Sequence, residues 1–518
     1  MLVIEKAKAL LLNLSNPERV LSTVPTSKPY KFKGKDLVVI PHRVKESTSL
    51  RALGIKAPSP ILHYYDWPGR FTPYDHQRMT AAFLTMHSRC LVLNEIGTGK
   101  TQSALWAADY LMNAGVVKKV LILSPLSTLE RVWGDGIFTG LIHRKHVVLH
   151  GAAARRKKLL KADVDFYVIN HDGFSIISED AHNMFDLIIV DEATVLRNPS
   201  TVRFKMFRKF IARNENARVW LMTGTPTPNE PTDAWALGHL IKNEDLPRTY
   251  TAFKEQVMMK VGQWKFIARP ESVDIVSKVL QPSVRYTRDE CFDLPDTVVQ
   301  TRRVMMTAEQ RFHYETMVKH FITSSTAHDG AEITAVNAAI RLQKLVQIAC
   351  GVAYSDDGQN IELDCNDRVA AVKEVIQEAG GKVILFVPLT GTLHMLESKL
   401  NKLFSTAVVN GQVSANKRND IFHNFQNSQD PRVLIAHPAT MAHGLTLTEA
   451  STVIWYGPTT SNEQYVQANG RIERIGKRHV SNVVHIAATD LEEKMYQRLA
   501  SKQALQDLLL EVIERGTE

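Results

Sequence analysis

The chain has 518 residues, 44% of them hydrophobic and 23% charged, which describes a globular protein too long for one hydrophobic core. A net charge of +9 makes an acidic partner plausible, no apolar run reaches membrane-spanning length, and the start of the chain lacks a secretory cleavage pattern. Cys90, Cys291, Cys350 and Cys365 are scattered without a Cys-x-x-Cys pair, so reduced core thiols are expected rather than a disulfide framework or a zinc site.

In chain order, residues 1–65 read as a small accessory module, with Asp36–Pro41 as a strand. Just before it, Lys28-Pro29-Tyr30-Lys31-Phe32-Lys33-Gly34-Lys35 interleaves basic and aromatic residues, a composition suited to a phosphate backbone and exposed bases. A solvated face is the plainer alternative. Phe71, Tyr74 and Gln77 offer an adenine an aromatic for stacking and an amide for its N6/N7 edge, although such spacing is common in helices.

Leu91-Val92-Leu93 reads as a short buried strand and Gln102–Ala108 as the helix after a glycine loop, Asn94-Glu95-Ile96-Gly97-Thr98-Gly99-Lys100-Thr101. Gly97 and Gly99, flanking Thr98, let backbone N–H groups turn toward anionic oxygens at the positive end of that helix. Lys100 supplies a point charge for the β- and γ-phosphates of ATP, and Thr101 a hydroxyl for Mg²⁺. Where the general phosphate-loop pattern opens with Gly, this chain has Asn94. Leu121–Pro125 is a further strand whose polar end, Ser124-Pro125, suits gripping a nucleic-acid backbone. Arg155-Arg156-Lys157-Lys158 with Lys161 forms a second basic cluster, while His143, His146 and His150 read as surface or core histidines rather than metal ligands.

Phe185–Val190 is an apolar run ending in Asp191-Glu192-Ala193-Thr194. A continuous aliphatic strand is what a parallel sheet covered on both faces requires, and its C-terminal end is where ligands bind. Asp191 can hold Mg²⁺ there through water, and Glu192 can polarise the attacking water. Arg218–Asn229 repeats the plan, with Thr223, Gly224 and Thr225 in a hydroxyl-rich turn able to sense the γ-phosphate; an ordinary Gly-Pro loop is the alternative.

In the rear half, Lys382–Val387, Arg432–Ala436 and Thr452–Tyr456 are buried-strand runs separated by helical patterns, which argues for a second parallel sheet in an α/β chain. Gln464–Arg474 reads as a helix whose spacing puts Gln467, Arg471 and Arg474 on one face, where guanidinium groups can meet the γ-phosphoryl oxygens. From Leu491 the tail reads as one amphipathic helix carrying Met495, Leu499, Leu505, Leu508, Leu509 and Val512.

Taken in order, Gln77, Gly-Thr-Gly-Lys-Thr, Ser124-Pro125, Asp191-Glu192-Ala193-Thr194, Thr223-Gly224-Thr225-Pro226 and Gln467…Arg471…Arg474 resemble the superfamily 2 helicase-like ATPases. Leu196-Arg197-Asn198, Asn229 and Arg471-Ile472-Glu473-Arg474-Ile475-Gly476-Lys477 make the chain most similar to the Swi/Snf family, and the pairs His437-Pro438 and His443-Gly444 resemble its compact phage or bacterial members. The stretch from Tyr286 to Pro295 and Leu342-Gln343-Lys344-Leu345 add to the likeness, which runs from about Phe71 to about Glu493. The resemblance implies two RecA-like lobes that bind Mg-ATP and move along double-stranded DNA, with Lys100, Thr101, Asp191, Glu192, Arg471 and Arg474 on the catalytic positions. It also implies that Gly444 adjoins nucleotide and DNA. Thr194 departs from the usual His, Met441-Ala442 from two glycines, and Gly457 from a frequent Asp.

The expected organisation is an accessory module over 1–65, lobe one over 66–243, and a helical protrusion or linker over 244–296. Lobe two follows over 297–490, with a helical insert around Thr307–Val346, and a C-terminal helix over 491–518. The expected function is an ATP-dependent DNA translocase for repair, recombination or fork processing. A strand-separating DNA or RNA helicase and a catalytically inert DNA-binding scaffold are the alternatives. A monomer is expected, in the cytoplasm with the nucleoid or in a phage-infected cell, and in the nucleus if the source is eukaryotic.

Overall fold

The computed structural model describes residues 1–228, 230–261, 266–292, 297–326, 343–354, 360–441, 447–472 and 481–499. They form two compact units, Met1–Cys291 and a second from Phe292 onward.

The first unit opens with a four-stranded antiparallel sheet, β1 (Leu2–Ile4), β2 (Ala9–Leu12), β3 (Lys28–Phe32) and β4 (Lys35–Pro41), in the order β1-β2-β4-β3. Leu10, Leu12, Val38 and Ile40, at alternate positions of their strands and so on one face of the sheet, pack with Val20 and Leu50 into a small core of their own.

Next comes a seven-stranded sheet of β5 (Arg89–Val92), β6 (Val120–Ser124), β7 (His146–Val148), β8 (Phe166–Asn170), β9 (Leu187–Asp191), β10 (Arg218–Met222) and β13 (Ser283–Val284). The order is β13-β5-β10-β9-β6-β8-β7, and every pairing is parallel. The two-residue period of a strand divides each aliphatic run between two cores. In β9, Ile188 and Val190 join Phe204, Phe207 and Leu237 on one face, while Leu187 and Ile189 join Leu105, Trp106 and Leu84 on the other. Both faces are covered, so the strands need no polar side. The segment after Asn243, expected as a helical protrusion, holds the helices Tyr250–Val257 and Ser272–Val279 and the hairpin β11 (Met258–Lys260) and β12 (Phe266–Ala268). Phe253, Val257, Val276 and Val279 enter the first of those cores, and β13 adds an edge strand beside β5.

The second unit carries β14 (Thr297–Arg303), the small hairpin β15 (Val352–Tyr354) and β16 (Asn360–Glu362), then β17 (Lys382–Phe386), β18 (Thr406–Val409), β19 (Val433–Ala436), β20 (Ala450–Trp455) and β21 (Ser481–Ala487). Its six-stranded sheet runs β14-β21-β20-β17-β19-β18, again parallel throughout. Val383 and Leu385 face one core, Ile384 and Phe386 the other. Two parallel sheets flanked by helices, one per unit, are the expected α/β architecture. Of the expected helical insert, Ala308–Thr326 is a helix, residues 343–349 are helical, and 327–342 lie outside the described residues. The tail is helical over 490–499; Leu505, Leu508, Leu509 and Val512 lie outside them.

A buried ion pair ties that tail helix to the second core. Arg368 donates to Glu492 Oε1, to Ala349 O at 2.8 Å and to Ile486 O at 2.9 Å, and both charged side chains are almost wholly buried. Glu492 Oε2 accepts from the backbone N–H of Ala488 at 2.8 Å and of Thr489 at 3.2 Å. Removing one partner strands the other charge in a low-dielectric site. Glu492→Ala is therefore expected to destabilise the second unit by about 3–5 kcal/mol, read from its urea unfolding midpoint.

Candidate nucleotide-binding site

In a parallel sheet the C-terminal ends of all strands share one edge. Here that edge gathers the loop after β5, Ser124 at the end of β6, Asp191 at the end of β9 and Thr223 after β10.

The loop after β5 is a phosphate-loop backbone. Gly97 and Gly99 have φ of 92° and 85°, a region that costs a side chain about 1–2 kcal/mol. Gly99, the N-cap of the helix Lys100–Asn113, is doubly required, because a Cβ there would stand 2.1 Å from Gln77 Nε2. Lys100 Nζ donates to Asn94 O at 2.8 Å and Glu95 O at 3.0 Å, closing the loop on itself. The departure at Asn94 has a local reason: its buried amide donates to Thr80 Oγ1 at 2.9 Å, pinning the loop to the helix Asp75–Met86. Thr98 O, at the loop's turn, accepts from His76 Nε2 at 2.8 Å and Gln77 Nε2 at 3.2 Å. Gln77 Oε1 accepts in turn from Tyr74 N at 3.1 Å. Gln77 is thus buried and grips the loop in this conformation, whereas Phe71 and Tyr74 stand about half exposed.

Asp191 is buried beside this loop. Burial raises its carboxyl above the ordinary carboxylate range, against the opposing pulls of the Trp133 N–H, the Lys100 charge and the Glu192 N–H. A carboxylate whose ionisation burial opposes is a group that a divalent cation stabilises, and the Thr101 hydroxyl at the start of the next helix is a second oxygen donor. The donor set therefore fits Mg²⁺. Glu192 follows with φ 49° and ψ 53°, in the left-handed region, its N–H donating to Asp191 Oδ1 at 3.1 Å. A non-glycine residue held there stores on the order of 1–3 kcal/mol, the kind of strain that clusters at active sites.

Three residues at this edge escape a linear reading. Trp133, fully buried on the π-helical turn Leu129–Gly134, donates its indole N–H to Asp191 Oδ2 at 3.0 Å. His171 Nε2 donates to Asp191 O at 2.8 Å, and burial lowers its pKa to about 4, so it is neutral at pH 7. His76, described above, is the third. No spacing marks them; only the folded edge brings them to the loop and to Asp191. Trp133→Phe keeps the ring and deletes the N–H. Lost outer-shell partners commonly cost 10–100-fold, so the variant should need more Mg²⁺ and turn over about 10–100-fold more slowly in a magnesium titration of ATPase rate.

The turn after β10 is wired to both halves of the site. Thr223 Oγ1 shares a buried 2.9 Å hydrogen bond with Thr194 Oγ1 and accepts from Thr225 N at 3.0 Å. Gly224 lies against the phosphate loop, where a Cβ would meet Asn94 O at 3.4 Å. Thr194, the departure from the usual His, is therefore the partner of Thr223. Glu95, inside the loop, accepts from Arg288 N at 2.9 Å and pairs with Arg285 at 3.5 Å.

Two expectations are corrected. The Ser124 hydroxyl, expected at a nucleic-acid backbone beside Pro125, is fully buried, since Ser124 closes a strand covered on both faces. Gln464–Arg474 is not one helix: the helix is Asn462–Asn469, with Gly470 at its cap. Past Gly470, where glycine weakens the helix, the N–H groups of Arg471 and Ile472 bond back only three residues, to Ala468 O and Asn469 O at 3.2 Å each, and Arg471 O accepts from Leu447 N at 3.1 Å. Gln467 is on the helix, buried and bonded to Glu463 at 3.3 Å; Arg471 lies past its end and is 2% exposed. Helical spacing therefore does not place Gln467 and Arg471 on one face. Arg474 and Gly444, with Asn229, lie outside the described residues.

The model of the SNF2-related domain matches residues 74–349, and that of the helicase conserved C-terminal domain matches 367–476. The chain belongs to the SNF2-related family. This SNF2-related chain is a helicase-like ATPase that uses ATP. It is 27% identical to protein p41 of Acyrthosiphon pisum secondary endosymbiont phage 1, over 86% of this chain and 99% of the phage protein. The zebrafish (Danio rerio) chromodomain-helicase-DNA-binding protein 1-like is 24% identical over 82% of this chain and 42% of its own length. The SNF2-related chain thus spans nearly all of the phage relative and under half of the zebrafish one. Against the Sulfolobus solfataricus SWI2/SNF2 ATPase core in complex with dsDNA, the TM-score is 0.40 with 22% identity, over 85% of this chain and 93% of that one. Among the described residues no helix is long and apolar enough to cross a membrane, and no cluster of His, Cys, Asp and Glu has metal-site form.

Proposed function

We propose that this SNF2-related ATPase is a motor that converts hydrolysis into movement on duplex or branched DNA. The observation that carries the reading is the wiring of one sheet edge. The phosphate loop touches Gly224, Thr223 bonds Thr194, and Thr194 lies two residues beyond Glu192 of the acidic pair. Loss of a phosphate at the loop is then felt at three strand ends at once.

In this reading Gly97, Thr98 and Gly99 present backbone N–H groups to the triphosphate, and Lys100 leaves the loop carbonyls to meet it. Phe71 and Tyr74 flank the base, with Gln77 reading its edge. Thr101 and Asp191 would hold Mg²⁺, which would supply positive charge to the phosphates. Glu192 orients a water for in-line attack, and Arg471 and Arg474 of the second unit supply positive charge to the γ-phosphoryl oxygens. Gln467 and Gly444 complete the second unit's share. Thr223, Gly224 and Thr225 relay the change, with Ser124 and Pro125 supporting the strand end beside them. Repair, recombination or fork processing are the settings we favour, for a protein acting as a monomer.

The test is steady-state ATPase without nucleic acid and with single-stranded DNA, blunt duplex, forked DNA and RNA, beside triplex-displacement and fork-unwinding assays. Duplex should stimulate turnover most, and a triplex strand should be displaced without unwinding of the fork. Unwinding of the fork, or stimulation by RNA alone, overturns the translocase reading in favour of a strand-separating helicase.

A further inference from the structure

The N-terminal sheet lies outside both matched family regions, and its edge strand is unusual. Strand β3 is exposed at all five positions and pairs with β4 along one side, so it forms an open edge of the sheet. Pro29 and the lysines on such an edge have an ordinary explanation, because they discourage pairing with another chain. Two large aromatics aligned on that edge work the other way and need a different one.

Tyr30 and Phe32 are two residues apart, so they point to the same face. They are 46% and 50% exposed, with ring centroids 6.4 Å apart and planes within 12°. The pairing register puts Lys28 on that face beyond Tyr30, and Lys35 directly across from Phe32. Lys33, in the turn, holds its ammonium 5.5 Å from the Phe32 centroid. Lys31 is on the opposite face, spent on an exposed pair with Asp36 at 3.7 Å. The result is a platform of two near-parallel flat rings with cations at both ends.

We infer that this hairpin binds unpaired nucleotides, with bases stacking on Tyr30 and Phe32 and phosphates lying by Lys28, Lys33 and Lys35. The chemistry selects the ligand. Flat rings reward π-faces of any base and lysines reward a regularly charged backbone, a combination that tolerates any base sequence. Bases within a duplex are already stacked and paired, so the platform serves single-stranded segments. The inference rests on the DNA reading above and deepens it: the favoured substrate is a duplex joined to a single-stranded arm.

The test uses the full chain and fluorescence anisotropy at fixed salt, with a blunt duplex and the same duplex bearing an oligothymidine tail. The wild-type protein should prefer the tailed DNA. Tyr30→Ala/Phe32→Ala should lose about ten-fold or more on the tailed DNA and leave blunt-duplex affinity in place. Tyr30→Phe/Phe32→Tyr keeps both rings and should keep the preference, which separates lost stacking from a damaged fold. Lys28→Gln/Lys35→Gln should lower the salt slope on a free single strand by about 0.7 per lysine. A 2-aminopurine in the tail should be quenched by wild type and not by the alanine pair. A tail preference that survives in the alanine pair overturns the hairpin and leaves the DNA motor standing. Wild-type protein that binds neither DNA overturns both. Equal binding of both DNAs by wild type overturns the hairpin alone.

Discussion

A Glu192→Gln protein is expected to bind ATP as tightly as the parent and to hydrolyse it about 10²–10⁴-fold more slowly, the usual contribution of a positioned general base. The substitution is nearly isosteric, so the left-handed backbone at Glu192 and the N–H bond to Asp191 Oδ1 should both persist. Only the carboxylate that would polarise water disappears. The companion Lys100→Ala should fail at an earlier step. It removes the ammonium that closes the loop on Asn94 O and Glu95 O and that lowers the cost of ionising Asp191. Measured side by side by nucleotide binding and single-turnover hydrolysis, the first variant should lose rate and the second should lose binding. Turnover by Glu192→Gln within ten-fold of the parent would remove Glu192 from the proposed chemistry.

The second large effect concerns Arg471. If its guanidinium meets the γ-phosphoryl oxygens in the transition state, Arg471→Ala should lower kcat by about 10³–10⁵ with little change in ATP affinity. Arg471→Lys should recover little of that loss, because an ammonium keeps the charge but not the planar fork. The burial of Arg471 in the second unit sets up the competing outcome. A purely structural arginine would show itself as a lowered unfolding midpoint in both variants, with kcat per folded molecule unchanged. Pairing a urea titration with the kinetics decides between them.

The parallel sheets were legible because their strands are written as unbroken aliphatic runs, which little else in a globular protein requires. The stretch 187–190, just before Asp191, and Val433–Ala436 are both fully buried runs of this kind. The phosphate loop was legible for a related reason: its glycines serve local backbone geometry, and local geometry is encoded by neighbours in sequence. The helix after Ser461 was overextended because periodicity does not register a cap. Gly470 and the tighter three-residue bonds after it end the helix, and the Leu447–Arg471 bond just beyond joins residues 24 positions apart (471 minus 447). In sequence Ser124 resembles a contact residue, being polar at a strand end; its burial depends on how the neighbouring strands and turns close over it.

The same division runs through the site. From residue types and their order alone came the α/β class, the family, and the acids and cations able to handle a triphosphate, since these follow from short-range pattern. Tertiary structure alone decided that Trp133 and His171 hold Asp191, that Asn94 replaces glycine by bonding Thr80, and that Thr194 answers Thr223. Such bonds link residues far apart in the chain, and their energies depend on burial and direction, which exist only after the chain has folded.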